Sequence, residues 1–158
     1  MTSHADVHHH ADASLTRSAV QATLHCLTGC AIGEILGMII STAFGFGNAL
    51  SIVVSVGLAF VFGYGLTLRP VIAAGVAPRR AFSLAFASDT LSISTMEIVD
   101  NAFILLVPGA ISAGLGDSLF WWSLLTSLVI AFAAAVPVNR YLIARGKGHA
   151  VMHEFHQH

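Results

Sequence analysis

Four side chains able to bind a cation lie within ten residues of one apolar stretch: His25, Cys26, Cys30 and Glu34. A second apolar stretch carries Asp89, Met96, Glu97, Asp100 and Asn101. Imidazole, thiolate and carboxylate together are the donor set of zinc, copper or a similar transition metal. Carboxylates alone also suit a proton or a simple cation. Cys26, Cys30 and Glu34 recur every fourth residue, so on a helix they stack along one face. Asp89, Met96 and Asp100 share one face of the second stretch, with Glu97 and Asn101 flanking it and Leu91, Ile98 and Val99 opposite. Ionisable groups inside a membrane segment are expensive to bury and mark a functional site by default.

The elements that must position these groups are membrane helices. Of 158 residues, 56% are hydrophobic and 9% charged. A soluble domain carries about 25% charged residues, so this chain cannot cover a water-facing surface. A net charge of −1 and the lack of a basic-aromatic patch argue against nucleic acid as a partner. Apolar runs at about 19–43, 49–68, 81–107 and 119–142 approach the roughly 20 residues that span a bilayer. Phe44-Gly-Phe-Gly-Asn48 reads as a turn, Arg69-Pro70 as the end of the second span and Pro108-Gly109 as the end of the third. Trp121 and Trp122 anchor the start of the fourth at the interface, and Pro137 is expected to kink its end.

The expected fold is all-α: an integral membrane four-helix bundle of two antiparallel hairpins over residues 17–142. Residues 1–16 are expected as a disordered, His-bearing arm, and 143–158 as a tail with His149, His153 and His156 on one helical face. Such tails suggest metal affinity. All seven basic residues lie before span 1, between spans 2 and 3, or at and after the end of span 4. The positive-inside rule therefore predicts cytoplasmic termini and a multi-pass protein of the inner membrane. The lipid bilayer is its first partner, and so thin a bundle invites a homo-oligomer.

Gly29, Gly33 and Gly37 repeat every fourth residue beside the Cys/Glu stripe and let another helix approach closely. At 1.5 Å rise per residue, Cys26 falls level with Asp89, and Glu34 with Glu97. Two carboxylates at one level repel unless a proton or a cation lies between them. A disulfide between thiols four residues apart on one helix would be strained, so a thiol redox role ranks last.

His-Cys-Leu-Thr-Gly-Cys-Ala-Ile-Gly-Glu (25–34), Asp-Thr-Leu-Ser-Ile-Ser-Thr-Met-Glu-Ile-Val-Asp-Asn (89–101) and Pro-Val-Asn-Arg-Tyr-Leu-Ile-Ala-Arg-Gly-Lys-Gly-His (137–149) resemble the bacterial family named domain of unknown function 4396. That resemblance implies a four-span membrane protein and carries no activity. Three functions stay open at this point. One is transition-metal binding or transport through His25, Cys26, Cys30, Glu34, Asp89, Glu97 and Asp100. Another is proton or cation conduction by the carboxylates alone. The last is a structural or assembly subunit. No nucleophile-base-oxyanion set is present, so no enzyme is expected.

Overall fold

The computed structural model describes residues 4–73, 75 and 77–145. Four long helices follow one another: α1 (His4–Phe44), α2 (Asn48–Ala73), α3 (Pro78–Leu106) and α4 (Ser118–Ala144). A 3-10 turn, Ala110–Ser112, lies between α3 and α4. Three of the helices, over Ala13–Phe44, Asn48–Arg69 and Ser118–Ala144, are long and apolar enough to cross a membrane, and the chain is a membrane protein. The 29 residues of α3 reach about 43 Å at helical rise. Its three carboxylates keep it from matching the other helices in apolar character.

Each helix packs on its chain neighbour, and α4 closes the ring on α1. The polar helices α1 and α3 stand on the diagonal and meet across it. Exposed Leu, Val, Ile and Phe side chains cover the outside. This arrangement is inverted from a soluble bundle, as expected where lipid is the solvent.

The α1–α2 contact is the closest. A methyl group added at Gly29 would stand 2.7 Å from Gly63 Cα, and Gly33 and Gly37 meet Ala59 and Ser55 in the same way. Ser55, Ala59 and Gly63 themselves recur every fourth residue, so two ridges of small residues lie against each other. Phe46 N–H donates to Ser41 O (2.9 Å) and Gly45 N–H to Thr42 O (3.4 Å), which is a Schellman ending for α1. It requires the left-handed backbone that Gly45 adopts at φ +68°.

Two expected boundaries are corrected. Residues 4–16, expected as a disordered arm, continue α1. Once a long helix is nucleated, each further residue costs little. The second helix runs through Arg69-Pro70 to Ala73 instead of stopping there. Proline so near a helix end forfeits one backbone hydrogen bond, which membrane helices tolerate. Pro78 opens α3 in its first turn, where a missing N–H is harmless. Pro137 is accommodated inside α4, which continues to Ala144.

Candidate functional site: a carboxyl cluster on the bundle axis

The helical register turns the predicted face of α3 inward. Asp89, Ile93, Met96, Glu97 and Asp100 are all at most 5% exposed, while Leu91 and Ile98 point outward. On α1, Cys26 and Cys30 are buried as free thiols, and Glu34 is half-buried. The predicted level-by-level pairing is realised, and it forms two polar layers.

The first layer holds Cys30, Glu34, Glu97, Asp100 and Asn101. The Glu34 carboxyl lies close to that of Glu97 and to Ser55 of α2. Cys30 is in contact with Glu97, and its Sγ lies 4.0 Å from Met96 Sδ. Asn101 Nδ2 donates to the Glu97 carbonyl at 2.9 Å and reaches Glu97 Oε2 at 3.5 Å. The Ser127 hydroxyl of α4 donates to Asp100 Oδ1. Asp100 Oδ2 and Glu34 Oε1 are buried and have no hydrogen-bond partner among the described residues. Glu34 and Glu97 thus lie close together on facing helices, with Asp100 near them, and two carboxyl groups so placed favour holding a proton or a cation between them.

The second layer lies toward the helix ends that carry the arginines. Cys26 lies near Asp89 and Ser92. Asn139 Nδ2 donates to Thr23 Oγ1 (2.8 Å) and to Ser92 Oγ (2.9 Å), tying α4 to α1 and α3 in one buried bridge. An apolar layer of Ile93, Met96, Ala59, Ala131 and Ala135 separates the two polar ones.

His25 sits one turn before Gly29, half-buried on the row that faces α2 rather than on the cysteine stripe. Arg140 is exposed. Among the described residues, no group of three or more His, Cys, Asp or Glu side chains is arranged to hold a metal ion. His149, His153 and His156 lie outside the described residues.

Sequence reasoning missed Ser55, Ser92, Thr23, Ser127 and Asn139. Ser55 belongs to a four-residue repeat of small residues that could have flagged it. Asn139, an amide within an apolar span, was a second available signal.

Beyond the carboxyl pair, a cavity of about 300 Å³ lies between the helix ends and both hairpin turns. It is lined from Gly45, Asn48 and Ser112 at the rim to Glu34, Ser55 and Ser123 at the floor.

No curated protein and no solved structure matches the chain. Residues 16–148 match the family described as domain of unknown function (DUF4396). That match covers α1 from residue 16 onward and all of α2, α3 and α4, and the chain belongs to this family.

Proposed function

We propose that the protein binds and passes protons through the membrane by way of Glu34, Glu97 and Asp100. The observation that carries this reading is the gathering of three inward-facing carboxyls, Glu34 of α1 and Glu97 and Asp100 of α3, two of which (Glu34 and Asp100) keep a buried oxygen with no hydrogen-bond partner among the described residues. A buried carboxyl pair gains by keeping one proton and exchanging it, because neither full ionisation nor full desolvation is favourable. With α3 as a fourth span, both polar layers sit within the bilayer. The basic residues then favour termini in the cytoplasm and hairpin turns on the far side of the inner membrane. The test is proton uptake by proteoliposomes under an imposed potential: wild type conducts, and Glu97→Gln does not.

A second reading rests on the Cys30–Met96 sulfur pair, with Cys26 in the same buried cluster. Thiolate and thioether suit a soft metal such as copper(I) better than zinc, which takes four donors. On that reading the purified protein retains near-stoichiometric metal after residues 1–16 and 149–158 are removed, and Cys26→Ala/Cys30→Ala loses it. An empty, folded wild type excludes a resident metal.

A further inference from the structure

We infer that the cavity at the hairpin-turn end is a hydrated, cation-selective entrance that loads Glu34 from that end alone. Its rim is exposed at Gly45, Asn48 and Ser112. Its floor reaches Glu34, ten residues or about 15 Å of helix below Phe44. At about 30 Å³ per water, 300 Å³ is room for a chain of waters rather than a single one.

Two buried polar atoms facing this space point to an occupant. Ser41 is 3% exposed, and its Oγ has no hydrogen-bond partner among the described residues. Glu34 Oε1 is in the same position at the floor. Buried polar groups are almost always satisfied, so water or a hydrated cation must serve both. The sign follows from the wall. Hydroxyls of Ser41, Thr42, Ser51 and Ser123 and the Asn101 amide surround one carboxyl, and no Lys, Arg or His is among the lining residues. A small hydrated cation is therefore attracted and an anion is repelled.

On the other side of Glu34, two layers of described residues stand between it and the helix ends that carry the arginines. The buried side chains around Ile93 and Ala135 offer water almost no hydrogen-bond partner, and the Asn139 bridge to Thr23 and Ser92 pins three helices together behind them.

This inference rests on the reading of Glu34 and Glu97 as a cation site, but its test has no transport readout. Single cysteines replace Ser41, Ser55 and Ser92 in the full chain reconstituted in vesicles, with the wild type as background for the buried Cys26 and Cys30. Methanethiosulfonate reagents of similar size and opposite charge are added from each side. Ser41→Cys and Ser55→Cys are expected to react from the hairpin-turn side, with the cationic reagent faster by about tenfold or more. Ser92→Cys is expected to stay at the wild-type background from both sides. Gel-filtration profiles matching wild type establish that each variant is folded.

Silence at both Ser41→Cys and Ser55→Cys, equal rates for the two reagents, or modification of Ser92→Cys at a comparable rate overturns the inference. The expected labelling with no proton flux leaves the entrance standing and removes the proposed function. Flux without labelling does the reverse.

Discussion

Gly33→Ala should loosen the bundle by about 3 kcal/mol, the upper end of what overpacking costs. The added methyl would run into Ala59 backbone, 2.5 Å from its Cα, with Leu58 C at 2.9 Å. Backbone cannot rotate away as a side-chain tip can. The two helices must separate, and the row from Gly29 to Gly37 separates with them. Dispersion contacts between closely spaced backbones are the main attraction between helices in lipid, where hydrophobic burial adds little. Gly57 and Gly65 supply the control on α2. Nothing lies within 4 Å of a methyl group at either position. Gly57→Ala and Gly65→Ala should leave stability unchanged or raise it by a fraction of the ~1 kcal/mol helix-propensity gain. Denaturant titration in mixed micelles checks all three, and equal stability of Gly33→Ala and Gly57→Ala would contradict the packing described.

The second large effect concerns transport. Glu34→Gln and Glu97→Gln should each lower proton flux on the order of a hundredfold, the usual result of removing a positioned proton-transfer group. Glu34→Gln/Glu97→Gln should be no worse than either single change, because the two carboxyls act as one unit. An amide fills the carboxyl's volume and still hydrogen-bonds Ser55 or Asn101, so folding should survive. The same proteoliposome assay reads all three variants. Multiplicative losses would mean that the two carboxyls work independently rather than through a shared proton.

Much of this site could be read before any coordinates. The four helices follow from apolar runs bounded by Gly and Pro, and the inward face of α3 from Asp89, Met96 and Asp100 at helical spacing. Charge cost explains why those residues were conspicuous: a carboxylate in a membrane helix has few alternatives to facing inward. Hydroxyl residues give no such signal. Thr28 and Thr95 satisfy their hydroxyls on the carbonyls of Leu24 and Leu91 within their own helices. Ser127 reaches both the Leu124 carbonyl of its own helix and Asp100 on the neighbouring α3. Nothing local in the sequence separates these cases, so the partners of the carboxyls and of Asn139 emerged only from the packing. The course of α2 past Pro70 was hidden for a similar reason. A proline disfavours continuation locally, and whether the surroundings tolerate it is decided outside the segment.

The Glu34–Glu97 pair is most directly tested by infrared spectroscopy of the protein in membranes. A proton shared between the two carboxyls predicts a hydrogen-bonded carboxylic-acid C=O band that shifts in heavy water. That band should vanish or move in both Glu34→Gln and Glu97→Gln. No such band at any pH where the protein stays folded, or a band unchanged in both variants, would contradict the shared proton and the function built on it.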